Sequence, residues 1–500
     1  MKTNFKYLIL GLIAISFFSC DPDEFLDEKD PDALTTDAFW RNADDVEAGI
    51  AATYSRVSGG EWGHTEVKVV VENYRSDFCD PGIDGRRYAD WNAISTFNIT
   101  DANSQTTSYW DRNYRGIYFA NQVIEAVEGM DGDQITADER TRAIAEMKFI
   151  RAFLHFRLLN NWEQIVLAVK VPKGQDELDI PLSSRAEAFA QIQQDLRDAA
   201  AGLPVTWDAD NTGRASRGAA LGYLGKALLH EGKWSEAATE LRKVIDLGVY
   251  DLVPNFLSLF DGTNENSVES IFEIQFSNLR TNGNRIVTFS NHFMSAEELG
   301  GWSDIAPTDA LLTEMKSEGR RTSDNRFDER LYQTLYFDDP DVEVFGEPYA
   351  DVFPTGRTAW RKFISSEKKV ADMGWEESQS TINWTEMRYS DILLMYAEAL
   401  NENGQTAESI PFINQVRARA MMPALTVSSQ GDVRNAIVHE RAMEFALEGI
   451  RFYDLRRWDM LNDKIPNSGK EGAGNFSLAK DSYLPIPEVE KNNNAAIGTN

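Results

Sequence analysis

Residues 388–404 read RYSDILLMYAEALNENG, residues 413–423 read INQVRARAMMP, and residues 439–458 read HERAMEFALEGIRFYDLRRW. Apolar residues recur at helical spacing: Ile392, Leu393, Tyr396 and Leu400 in the first run, then Phe412, Ile413 and Val416. Gly404 and Pro423 punctuate the helices. Glu440, Glu444 and Glu448 line one helical face, Arg441 follows Glu440, and Arg451, Asp454 and Arg457 continue at three-residue steps. So many charges among Met443, Phe445, Leu447, Phe452, Leu455 and Trp458 predict a partly buried Arg/Glu network that locks two helices together.

The first of these runs has a counterpart upstream. AALGYLGKALLHEGKWSEAATELRKVI (219–245) superposes on ILLMYAEALNENGQTAESIPFINQVR (392–417) at a constant offset of 172 residues, as from Ala227 to Ala399. Leu228 falls on Leu400, Gly232 on Gly404, Leu241 on Ile413 and Val244 on Val416. Small residues let two helices approach closely and the glycine turns the chain between them, which is the signature of a tetratricopeptide helix pair. The periodicity predicts further helices over residues 109–127, 140–162, 432–447 and 449–461.

These runs, in this order, resemble the carboxy-terminal half of the SusD/RagB family of outer-membrane nutrient-binding lipoproteins. Ala442 stands where the family usually has a second arginine. The resemblance extends to TTDAFWRNADDVEAGIAATY (35–54), to FIRAFLHFRLL (149–159) and to YLPIPEVEKNNN (483–494). The family's Y-G-D-V-P-L stretch is missing from residues 160–172, and AAIGTN replaces the usual closing motif. The resemblance implies a mainly α fold, a right-handed tetratricopeptide-like repeat bundle with long loop insertions. Residues 40–500 would form one domain with ligand loops near 59–108 and 280–380.

MKTNFKYLILGLIAISFFSC (1–20) places Lys2 and Lys6 before an apolar run too short to span a bilayer, so residues 1–19 read as a secretory signal. Phe18-Ser19-Cys20 is a loose lipobox, with Cys20 as the lipid attachment site. The acidic tether over residues 20–39 is similar to the export signal of surface lipoproteins in this family. Without residues 1–19 the chain keeps 48 basic and 80 acidic residues, a net charge of −32 with His neutral. That excludes nucleic acid as a partner and argues against an electrostatic hold on anionic lipid. With Cys20 acylated, Cys79 has no disulfide partner and reads as a small buried hydrophobe.

No cofactor, metal or catalytic motif is legible. The five histidines lack ligand spacing, and there is no H-E-x-x-H, P-loop or G-x-S-x-G. Asp208-Ala-Asp210-Asn-Thr-Gly213 opens like a calcium loop, but its twelfth position is Ala219, so it reads as a turn. Aromatic and planar polar residues instead cluster in loop-like segments outside the repeats. Trp91 and Trp302, flanked by Gly, Asp and Asn, are the leading ligand candidates, with Asp77, Arg86, Tyr88 and Asn98 beside the first and Trp375 as a third aromatic. An open indole stacks on the C–H face of a sugar ring while Arg, Asp and Asn take the hydroxyls. Trp110, Trp234 and Trp458, on or beside repeat helices, read as packing, as do Trp360 and Trp384.

The resemblance implies a glycan-capturing lipoprotein, anchored in the outer membrane and facing the exterior, that passes oligosaccharide to a SusC-like TonB-dependent transporter without covalent chemistry. The acidic surface suits a saline habitat and hence algal polymers such as ulvan, alginate or laminarin; the Arg86/Arg87 pair would clamp a charged polymer and the aromatics a neutral one. Two alternatives are a RagB-like peptide-binding lid, which needs a deep cavity of mixed polarity, and a surface glycosidase, which needs two carboxylates about 5–10 Å apart.

Overall fold

A computed structural model describes residues 39–58, 64–174, 177–281 and 284–498. Cys20 and the acidic tether as far as residue 38 lie outside these residues. In chain order the elements that frame the site and its scaffold are α1 (Ala43–Ser58), α2 (His64–Asn73), β1 (Cys79–Pro81), α3 (Ala89–Ser95), α4 (Ser104–Gly129), α5 (Ala137–Asn161), α6 (Arg185–Gly202), α7 (Arg217–His230) and α8 (Trp234–Asp246). There follow β2 (Ser270–Ile274), α9 (Ser290–Met294), β3 (Ile305–Pro307), α10 (Asp309–Lys316), β4 (Trp384–Arg388), α11 (Tyr389–Glu402), α12 (Thr406–Arg419), α13 (Gln430–Glu444) and α14 (Arg451–Arg457). Helices dominate and the strands pair only two by two, so the fold is the mainly α repeat bundle that the sequence predicts.

The long helices pack in a continuous row: α1 on α4, α4 on α5, α5 on α6, α6 on α7, α7 on α8, α8 on α11, and α11 on both α12 and α13. Helix starts are set locally. Asn103, Thr136, Ser184, Ser216 and Ser429 each accept an N–H of the first turn, with full capping boxes at Thr136/Glu139 and Ser184/Glu187.

The predicted internal repeat is present in register. α7 begins at Arg217 and α11 at Tyr389, and their last residues, His230 and Glu402, keep the same spacing. Ala227, Leu228, Leu241 and Val244 are buried, and so are Ala399, Leu400, Ile413 and Val416. Lys233 N–H donates to Leu228 O at 3.0 Å and Gln405 N–H to Leu400 O at 2.8 Å, the same six-to-one bond after each helix. That bond needs a left-handed residue before it, supplied by Gly232 at φ +72° and Gly404 at φ +81°.

The predicted charge network exists, and it is larger than residues 388–458 alone could indicate. Arg388 donates to Glu269 at 2.6 Å, Glu444 at 2.8 Å and Glu448 at 2.8 and 2.9 Å. Arg330 bonds Asp328, Glu440 and Glu444, while Arg417 and Arg419 reach Glu440 and Glu444 from α12. On the adjoining face Arg441 joins Asp391 to Asp454, both at 2.7 Å. One expected feature differs: α13 stops at Glu444, and Glu448 is delivered by a turn in which Leu447 (φ +68°) and Gly449 (φ +79°) are left-handed.

An outlying part of the network holds a histidine that titrates well above its ordinary pKa. His439 on α13 places Nδ1 2.8 Å from Glu314 and Nε2 2.9 Å from Glu318. Only the imidazolium can donate to both. Burial alone would lower its pKa, but the bonds to Glu314 and Glu318 and the charge of Glu440 outweigh burial and raise it to about 9. Glu318 is held well below the usual carboxylate range by Arg417 and His439. Glu318, His439 and Glu440 come close enough to suggest a metal site, but Arg417 bonds both carboxylates and meets their charge.

Two outcomes follow. Valine at position 232 or 404 should cost about 1 kcal/mol or more in urea unfolding. The nearest obstacle to an added Cβ is Trp234 at 3.6 Å for Gly232, and none lies within 4 Å of Gly404, so the cost is conformational. Two unperturbed variants would break the repeat equivalence. The contribution of His439, about 2–3 kcal/mol, should be complete below pH 6.5 and vanish as pH rises through about 9, because its folded pKa is the higher one. The stability gap between wild type and His439→Gln should therefore be widest near pH 6 and close above pH 9; a gap independent of pH would reject the imidazolium.

Candidate functional site

Two segments more than two hundred residues apart are zipped together by backbone. β1 pairs antiparallel with β3, Cys79 opposite Pro307 and Pro81 opposite Ile305. Beyond the strand, Gly82 N–H donates to Asp304 O at 2.8 Å, and the Tyr74 hydroxyl donates to the same oxygen at 2.6 Å. A Cβ on Gly82 would lie 1.8 Å from Ser303 O, so only glycine admits this approach. The chain then turns through Gly85–Arg87 into α3, which presents Tyr88 and Trp91 with ring centroids 4.3 Å apart. Trp91 also packs 5.4 Å from Phe293 on α9.

The five residues of α9 are all buried and form a strut. Phe289 N–H, just before it, donates to Glu66 of α2 at 2.6 Å, and Thr288 pairs with Ser380 in a two-bond bridge. After α9 the chain reverses at Gly300 (φ +82°) and returns along the strut. Trp302 N–H donates to His292 O at 2.7 Å and Asp304 N–H to Phe293 O at 3.0 Å. A Cβ on Gly301 would meet Ser295 O at 2.2 Å, which explains the double glycine.

This return lays the Trp302 indole on the His292 imidazole, centroids 4.6 Å apart and planes 17° apart. His292 Nε2 lies 2.7 Å from the Ser378 hydroxyl, and burial lowers its pKa, which keeps the ring neutral at physiological pH. Trp375, in the single turn Trp375–Ser378, sits 5.6 Å from His292 and 5.8 Å from Phe289. The three predicted tryptophans come from separate segments and flank one strut: Trp91, expected in a loop, lies on helix α3, Trp302 lies in the return after Gly300, and Trp375 opens a single helical turn. Trp91 and Trp302 are half-buried, whereas Tyr88 is 52% and Trp375 59% exposed. Rings backed by packed protein on one side and open on the other suit a flat, partly apolar ligand.

The polar candidates divide. Arg86 stays at the rim, 46% exposed, with Nε 3.2 Å from Pro81 O and Nη1 on Glu471. Asp77 is corrected to a structural role: it is buried and both its oxygens are taken by Arg451, at 3.0 and 2.9 Å. Asn98 is exposed, but its amide donates to Thr96 O and Oγ1 at 3.2 Å, at the opposite end of α3 from Tyr88. Among residues not singled out from sequence, His292, Phe289 and Phe293 form the backing, and no periodicity in SNHFM marks them. Asp304 was also missed; burial, together with the charge of Asp84, raises its carboxyl to about 7. The segment Asp208–Gly213 is indeed a turn, Asp208 Oδ1 accepting the N–H of Asn211 at 3.1 Å. A separate cavity of about 400 Å³ lies between α1 and β2, where Ile50, Val57, Phe272 and Ile274 meet polar residues such as Glu47, Asn211, Arg214 and Gln275.

Comparison with known proteins agrees with this architecture. A sequence model of the SusD family matches residues 268–500, and one described as starch-binding, associating with the outer membrane, matches residues 24–229. A SusD-like protein of Formosa agariphila is 27% identical over 99% of this chain and 98% of its own. The crystal structure of a SusD superfamily protein from Bacteroides vulgatus superposes with a TM-score of 0.82 at 29% identity, covering 92% of this chain and 99% of the other. A laminarin-binding SusD-like protein superposes with a TM-score of 0.75 at 25% identity, over 92% and 99%.

Trp375→Ala should weaken polysaccharide affinity by about 1–3 kcal/mol, the scale of aromatic stacking on planar ligands, with little change in melting temperature. Trp302→Ala should lose affinity and some stability together, since its indole covers His292. Trp384→Ala, in a fully packed position, should instead cost about 3–5 kcal/mol of stability. Affinity and thermal unfolding on the same three variants check this; an unaffected affinity in both Trp302→Ala and Trp375→Ala would remove the site.

Proposed function

The chain belongs to the SusD family, and on that premise we propose that it is a cell-surface lipoprotein that captures a polysaccharide or oligosaccharide and hands it to a SusC-like TonB-dependent transporter. The observation that carries the reading is the aromatic platform around α9: the rings of Tyr88, Trp91, Trp302 and Trp375, from three separate segments, gathered on one buried strut. A platform of this kind binds by stacking and hydroxyl bonding and needs no catalytic group, so the protein acts as a binder rather than an enzyme. Likeness to a laminarin-binding protein supports a glycan ligand.

Anchoring would come from Cys20. Among the described residues no helix is long and apolar enough to cross a membrane. A lipid on Cys20, with the acidic tether behind it, would hold the platform at the outer surface beside its transporter.

The mature protein should be retarded in native gels containing its polysaccharide and release no reducing sugar from it. Retardation by no polysaccharide would sink the reading, and sugar release would revive a glycosidase. Cys20→Ala should yield a soluble protein with unchanged unfolding; its persistence in membranes of cells lacking the transporter would reject the anchor.

A further inference from the structure

Recognition of a sulfate or carboxylate needs a guanidinium or ammonium group whose bonding capacity is open to the ligand. Around the platform, among the described residues, the nearby cations are already engaged. Arg87, beside Tyr88, sits 2.7 Å from Asp84. Arg86 bonds Glu471 and lies 4.0 Å from Asp80. Arg357, which donates to Ser303 Oγ next to Trp302, lies 3.6 Å from Glu298. The two lysines preceding the Trp375 turn, Lys368 and Lys369, bond Glu377 and Glu347. Lys470, beneath the loop that carries Arg86, is buried and donates to the carbonyls of Tyr74, Ser76 and Cys79.

We propose that the ligand class of this platform is an uncharged polysaccharide, and that the carboxylate-paired rim turns away sulfated and uronate polymers. The proposal rests on the glycan-binding reading above and deepens it. An incoming anion would have to displace a carboxylate already tethered beside each arginine, and the displaced carboxylate would remain nearby as a like charge. The whole chain carries −30, so the long-range field has the same sign. A neutral sugar meets none of these costs: the rings take its C–H faces, and its hydroxyls can donate to the rim carboxylates without separating any ion pair.

The test uses the full mature protein in native affinity gels and calorimetry against neutral polymers (laminarin, starch, galactomannan, xylan) and anionic ones (alginate, pectate, carrageenan). Each is run at low and high salt. Expected are retardation within the neutral set alone and an affinity that changes less than about twofold with salt, since no ion pair is formed. The double variant Asp84→Asn, Glu471→Gln, checked for an unchanged melting temperature, should gain salt-sensitive retardation by the anionic polymers. Wild-type binding to an anionic polymer that weakens with salt overturns the proposal while leaving the glycan reading intact. A double variant that stays blind to the anionic set overturns the electrostatic gate. Silence of the wild type toward both sets overturns the glycan reading and the proposal with it.

Discussion

Arg388 is 1% exposed, and two of its three carboxylate partners, Glu269 and Glu444, are not exposed at all. Charges withdrawn so far from water are tolerable only when every donor and acceptor is met, and removing one partner of such a set costs about 3–5 kcal/mol. Lys362 illustrates the tension. It donates to Glu448 at 2.6 Å and to the carbonyls of Glu444 and Ala446, yet burial still lowers its pKa to about 8. The network therefore dictates where its contributors lie. It collects Glu269 before β2, Arg330 and Lys362 from the mid-chain insertion, Arg388 from β4, Arg417 and Arg419 from α12, and the glutamates of α13 and its following turn.

The consequence for the site is rigidity. β4, which ends in Arg388, pairs with β2 and is preceded by Ser380, whose bridge to Thr288 fixes the entry to α9. On the other flank, Arg451 grips Asp77 two residues before β1, which in turn holds Ile305–Pro307 and the Trp302 return. Long insertions on a repeat scaffold would ordinarily be its least ordered parts. Here both loop sets are tied to buried ions at their bases and to one another through glycine-permitted backbone bonds. A ligand bound there would meet rings already placed, and less of its binding energy would be lost to ordering them.

How far the sequence carried the reading follows from the range of each interaction. The repeats were legible because helix spacing, capping and the αL glycines are local, so Gly232 and Gly404 could be matched by register alone. The charge network was legible only in its α13 half; Glu269, Arg330 and Lys362 sit in segments with no periodic signal. The expected extension of α13 to residue 447 failed because Leu447 and Gly449 adopt left-handed conformations, and a Cβ on Gly449 would strike Glu72 at 2.4 Å. The candidate tryptophans were chosen because small and polar neighbours suggest loops, although Trp91 proves to lie on α3. Asp77 was misread for the same reason: nothing local distinguishes a loop aspartate open to ligand from one paired with an arginine 374 positions away. The backing role of His292 depends on the Gly300–Gly301 reversal, which no short motif encodes.

The division of charge between interior and surface ties these points together. The buried network spends arginines and lysines almost one for one against carboxylates, so a chain with 80 acidic and 50 basic residues leaves its acidic excess outside. A binding face built on such a surface would have little cationic charge to offer, and the arginines beside the aromatic platform carry their own carboxylates. What remains available at low electrostatic cost is aromatic area, which the loops supply from Tyr88, Trp91, Trp302 and Trp375. The same ion pairing that stiffens the scaffold thereby also constrains the chemistry of what the scaffold can hold.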